Sequence, residues 1–112
     1  MFIRCACFKG RVKPGMEEAF NRHVRQVLVP LWTRFPGAQE VRVLRQSESD
    51  VADPRLDMVI SVRFATREAI DLALASDVRM KSKEMSQALF DMFEGSVFHT
   101  IFTADEYALP TD

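Results

Sequence analysis

Most of the residues and motifs that announce a chemistry are scarce or missing in this chain. It has two cysteines and two histidines in 112 residues. It contains no Gly-x-Gly-x-x-Gly, Walker loop, His-Glu-x-x-His, Cys-x-x-Cys or Gly-x-Ser-x-Gly. The commonest nucleotide, zinc and serine-hydrolase readings therefore have no support. Cys5 and Cys7 stand two apart on an extended segment, so their side chains point the same way from a backbone that does not fold back to bridge them. They are expected to act as small core hydrophobes. Fifteen basic and sixteen acidic residues leave a net charge of −1. No block of five or six like charges occurs, which removes the electrostatic footprint of a nucleic-acid binder. The longest apolar runs, such as Met58 to Ile60, fall far short of the roughly 20 residues that span a bilayer. The stretch Met1 to Lys9, with its charge at Arg4, resembles neither a signal peptide nor a transit sequence. A cytoplasmic protein with no membrane or nucleic-acid partner is the expectation.

What is present is apolar patterning. A hydrophobic fraction of 47% with nine phenylalanines is ample for one core, so a single domain over residues 1–104 and a tail over 105–112 are expected. Phe2 to Lys9 is extended in character, and the turn residues of Gly10 to Gly15 end it. From Met16 the period lengthens. Met16, Phe20, Val24, Val27, Leu31 and Phe35 recur at helical steps, with Glu17 and Glu18 where the helix dipole favours negative charge. Pro30 lies inside this helix and removes a backbone hydrogen bond, which predicts a kink or a change of helical form over Arg25 to Val29.

Glu40 to Gln46 reads as a strand, Ser47 to Pro54 as a polar loop, and Leu56 to Phe64 as a central strand with one continuous apolar face. Thr66 is placed to cap a short helix through Ala75, and Ser76-Asp77 to interrupt it and cap another. Val78, Met85, Leu89, Met92 and Phe93 share a stripe on that second piece, and Gly95 stands where a left-handed helix terminus is wanted. Val97 to Thr103 is the last strand. The order is βαββαβ with the second helix broken in two: an α+β, ferredoxin-like split βαβ fold with a four-stranded antiparallel sheet. Strand one is apolar on both faces, with Phe2, Ala6 and Phe8 on one and Ile3, Cys5 and Cys7 on the other. A sheet covered by helices on one side only does not need that. A symmetric dimer through sheet faces satisfies it.

Candidates for chemistry are few. His99 sits mid-strand between Val97 and Ile101, where a polar ring on an apolar face is either a proton-exchanging group or is satisfied by a backbone or threonine partner. His23 lies at the edge of the helical stripe. Trp32 falls off the ideal stripe, so it either swings back at the Pro30 kink or marks an interface or a pocket wall. Met58 and Met85 suit a pocket for apolar ligands or ordinary core filling, and Phe93 joins them as a possible lining residue. Met80 and Phe90, on the outer face of their helix, point to partner contact. Arg4, Arg42 and Arg63 on strands either reach solvent or pair with a carboxylate, for which Asp57 is available. No metal and no cofactor is expected.

Lys13-Pro-Gly-Met-Glu-Glu-Ala-Phe20, Val29-Pro-Leu31 with Phe35-Pro-Gly37, and Leu74-Ala-Ser76 before a second helical piece resemble the EthD-like branch of the dimeric α+β barrel superfamily, over roughly residues 10–103. The resemblance implies ferredoxin-like protomers whose sheets pack face to face, each with a pocket between sheet and helices. It also implies one of the superfamily's activities: cofactor-independent oxygenation of aromatic polyketides, haem degradation, lactone isomerisation, or the organic-compound breakdown associated with EthD-like proteins. Two departures stand out. EthD-like proteins usually carry a histidine two residues before the helix-one proline, where this chain has Leu28, and His23 does not occupy that place. The strand-one asparagine expected of haem-degrading members is absent, the one asparagine being Asn21. The expectation is a homodimer that binds a small apolar organic ligand and acts as a cofactor-independent oxygenase or isomerase, with His99 as proton acceptor or orienting group and His23 and Trp32 at the pocket edge. The alternative is a non-catalytic binding or accessory protein.

Overall fold

A computed structural model describes residues 1–111. Its elements are β1 (Phe2–Val12), α1 (Glu17–His23), a π-helical turn (Val24–Leu28), α2 (Val29–Trp32), β2 (Ala38–Arg45), β3 (Leu56–Phe64), α3 (Arg67–Leu74), α4 (Asp77–Phe90) and β4 (Phe93–Thr103). The strands form one antiparallel sheet in the order β2-β3-β1-β4. This is the expected ferredoxin-like arrangement, and both helix caps in its second half form as read from sequence. Thr66 Oγ1 accepts from the Ala69 amide at 3.1 Å, and Ser76 Oγ from the Arg79 amide at 3.2 Å.

All helices pack on one face of the sheet. Phe8, Met58, Ile60, Val62 and Phe64 supply the sheet side of the core; Phe20, Val24, Leu28, Trp32, Ile70 and Leu89 supply the helix side. On β3 the buried residues alternate without a break from Met58 to Phe64, as the period of two requires. The opposite face carries Ile3, Cys5 and Cys7 with their cross-strand partners Phe98, Thr100 and Phe102. Both cysteines are buried and unbridged. They are small buried hydrophobes, as expected, and lie on the sheet face away from the helices, the face shared with Ile3.

Pro30 changes the helical form, as predicted, and the change moves the buried stripe. The Val29 amide donates to the Val24 carbonyl, a five-residue step. One extra residue in a turn rotates everything downstream by about 100°. The buried positions from the turn to the end of α2 are Val24, Leu28 and Trp32, in place of Val27 and Leu31, which are only half-buried, while Phe35 beyond α2 is buried as expected. Phe20, Val24, Leu28 and Trp32 thus run at a constant spacing of four, which a straight α-helix would carry off the core.

The sheet's far end departs from the sequence reading. β1 continues through Gly10 to Val12, and β4 begins at Phe93, so Phe93 belongs to a strand and Gly95 does not terminate a helix. Gly10 and Gly95 face each other across β1 and β4 with φ of +131° and +146°. A Cβ on Gly10 would strike the Glu94 carbonyl, and one on Gly95 the Lys9 carbonyl. Two glycines are needed because two backbones meet there, next to a β-bulge at Lys9 and Gly10 opposite Leu56. Asp57 also has a different role. It binds Arg55 at 2.9 Å and accepts from the Val12 amide at 2.9 Å, tying β3 to the end of β1. Arg42 pairs instead with Glu40, and Arg63 with Glu106.

Gly95→Ala should lower stability by about 2 kcal/mol or more in urea denaturation, from backbone strain plus the clash. Gly15→Ala should lose clearly less, since φ is +84° there but no atom lies within 4 Å of the added Cβ. Equal small losses at the two sites would refute the close-approach account.

Candidate active site

A cavity of about 180 Å³ opens between the helix-covered face of the sheet and α4. Its apolar wall comes from both layers: Ala6 and Phe8 on β1, Ile60 and Val62 on β3, Val97 on β4 and Phe90 on α4. Trp32 and Phe35 close it from the end of the first helical segment. Phe90 stacks on Phe8 at 6.4 Å between centroids, so this outer-face aromatic, half in solvent, is accounted for within the chain.

Trp32 is the side chain that the π turn delivers. Its indole Nε1 donates to Ser82 Oγ at 3.2 Å, both residues being buried. That bond holds the ring as a wall and removes an unsatisfied donor that would otherwise oppose burial. Ser82 on α4 was not singled out from sequence. A serine on a helix face carries no distinctive signal until its partner is known.

His99 pairs across the sheet with Ala6, which places it on the helix-facing side, within the cavity lining. The residue is nonetheless exposed to solvent. Loss of surrounding water, and then the nearby charges of Arg4 and Arg79, pull its pKa below the ordinary value. The imidazole is therefore neutral at pH 7 and available as a proton acceptor. Arg4 is half-buried on β1, diagonal to His99, and its own pKa is lowered by burial and by Arg79. Arg79, Ser82, Lys83, Ser86 and Gln87 form the α4 side.

The other residues selected from sequence lie elsewhere. His23 Nε2 donates to the Met85 carbonyl oxygen at 2.7 Å, bridging the first helical segment to α4, outside the cavity lining. Met58 is buried, with its sulfur 3.9 Å from Arg45 Nη1. Phe93 packs edge-to-face on Phe8 at 5.4 Å between centroids. Met85 packs against the core. Leu28, at the position of the EthD-like histidine, is fully buried. Among the described residues no group of three or more His, Cys, Asp or Glu could hold a metal ion. Among the described residues no helix is long and apolar enough to cross a membrane.

Solved structures with the same architecture are numerous. They share the ferredoxin-like α+β fold described above. An EthD-family protein of Bacillus halodurans superposes with a TM-score of 0.74 at 16% identity, over 94% of this chain and 100% of that one. A monooxygenase of Streptomyces coelicolor, solved in complex with nanaomycin D, gives 0.67 at 14% identity, over 98% and 92%. SnoaB, a cofactor-independent oxygenase of Streptomyces nogalater, gives 0.65 at 21% identity, over 98% and 97%. No family model and no curated protein matches the sequence. At these identities the likeness carries the fold and leaves activity to the residues of the cavity.

Titration of His99 followed by NMR should give a midpoint below 6.5, rising in Arg4→Gln or Arg79→Gln. Because the folded value is depressed, its contribution to stability is present above the unfolded pKa and is lost as pH falls through the folded one. A midpoint at or above 6.5 in the intact protein would contradict this electrostatic picture.

Proposed function

We propose that this chain binds a small, largely apolar organic molecule in the Trp32–His99 cavity and acts on it as a cofactor-independent oxygenase, with His99 as the proton acceptor. The observation that carries the reading is the convergence of the His99 imidazole with an apolar, aromatic-walled cavity on the covered face of the sheet. Apolar walls with a few convergent polar groups are the usual composition of a ligand site. A base held on a strand, beside a wall fixed by the Trp32–Ser82 bond, keeps its geometry when a ligand enters.

The chemistry asked of the protein is modest. His99 takes a proton from an activated C–H, and the resulting carbanion reduces dioxygen. For a methylene, the balance is CH₂ plus O₂ giving C=O plus H₂O. An isomerase would use the same base and return the proton at another carbon. The similarity in fold to an oxygenase that works without a cofactor supports the first outcome. With anthrone as probe, His99→Gln should reduce oxygen uptake by about 10²–10⁴. An unchanged rate would remove His99 from catalysis.

A second reading has its own observation. Leu28 is fully buried where EthD-like proteins usually carry a histidine, which favours a non-catalytic binding or accessory protein with the same cavity. Binding without turnover, unaffected by His99→Gln, is its signature.

A homodimer through the uncovered sheet face belongs to the same proposal. Phe98 and Phe102 stand 44% and 54% exposed on that face, and Leu44 48%. Large apolar groups on one face of a sheet, around two screened cysteines, form the kind of patch that a second copy covers. Sedimentation at micromolar concentration should report a dimer, and Phe98→Asp with Phe102→Asp a monomer. A monomeric unsubstituted protein would reject the face-to-face arrangement.

A further inference from the structure

The same cavity has a charge pattern that its apolar wall does not explain. Arg4, Arg79 and Lys83 all line it, with His99, and among the described residues no aspartate or glutamate does. Elsewhere the chain pairs its guanidinium groups freely. Arg11, Arg22, Arg42, Arg55, Arg63 and Arg67 each lie within 4.0 Å of a carboxylate. Among the described residues Arg4, Arg79 and Lys83 have no such partner. Arg25, Arg34 and Arg45 have no carboxylate partner either, but they are exposed to solvent, where hydration suffices. Arg4 and Arg79 are half-buried, and after burial itself it is the charge of Arg79 that lowers Arg4's affinity for its proton. Two like charges held together at an apolar cavity without a counter-charge are unfavourable, and an anion entering between them relieves both desolvation and repulsion.

We infer that the cavity selects an organic anion, a carboxylate or enolate on an apolar ring system, with its negative group held between Arg4 and Arg79 and its rings against Trp32 and Phe35. The inference rests on the proposal that this cavity is the ligand site, and it adds the charge of the ligand. Arg79 lies in the first turns of α4, and Arg4 lies on the central strand β1, so the two approach the anion from opposite layers. Their planar donors suit a two-oxygen group. An enolate formed at the cavity would gain the same stabilisation as a bound carboxylate, which links this selectivity to proton removal by His99.

The test uses 1-naphthoate and its neutral isostere 1-naphthamide on the full chain, with affinities from calorimetry. The indole N–H signal of Trp32, the one tryptophan, reports entry into the cavity. Naphthoate should bind about 10- to 100-fold tighter than the amide, the range of one charge-assisted hydrogen bond. Arg79→Gln should remove most of that ratio and Arg79→Lys restore part of it. Arg4→Gln should act in the same direction. The indole signal should shift with both probes. Equal affinities with a shifted indole signal would overturn the charge selectivity and leave the apolar site standing. No indole shift with either probe would overturn the ligand site and the inference together.

Discussion

The structure of the site depends on how one proline is accommodated. Pro30 has no amide to donate, so the turn before it cannot be continued as a regular α-helix without leaving a carbonyl unmatched. The chain widens that turn, and the Val29 amide reaches back five residues to Val24. The extra residue advances the buried stripe by one position. Leu28 then enters the core, and Trp32 reaches α4, where Ser82 fixes its indole. Without that rotation Leu31 would face inward, the tryptophan would face solvent, and the cavity would lose its wall. A helical irregularity placed directly against a ligand site is a common association.

Electrostatics divides the molecule into a paired surface and an unpaired cavity. Most of the described ion pairs are exposed and contribute little individually to stability. They do show that carboxylates are plentiful wherever the fold has a use for them. Their absence from the cavity lining is therefore a property of the site. It has two chemical effects: nothing opposes the lowering of the His99 pKa by burial and by the Arg4 and Arg79 charges, and negative charge in the cavity is favoured. A base beside cations is suited to removing a proton and stabilising the anion left behind.

Much of this was legible in the residues. The element order, both helix caps, the alternation of β3 and the effect of Pro30 follow from periodicity, capping chemistry and the missing amide. These are short-range rules that act within a few residues. What the same rules misread came from long-range contact. Gly95 looked like a helix terminus, and its real constraint is the backbone of Gly10, far away in sequence. Asp57 was available to any strand arginine, and it is held by Arg55 and the Val12 amide.

The sequence by itself determined the elements, the one-sided patterning of the central strand, and the fact that only two imidazoles were available for chemistry. Tertiary structure alone decided which of them faces a cavity. Register with Ala6 turns His99 toward the helices, while His23 is committed to the Met85 carbonyl. It also decided that Arg4 and Arg79, 75 positions apart and unremarkable singly, share one cavity without a carboxylate. The physical reason is that periodicity fixes which face of an element is apolar, whereas the pairing of polar groups between layers depends on strand register and helix rotation. Here a single inserted residue in one helical turn set that rotation.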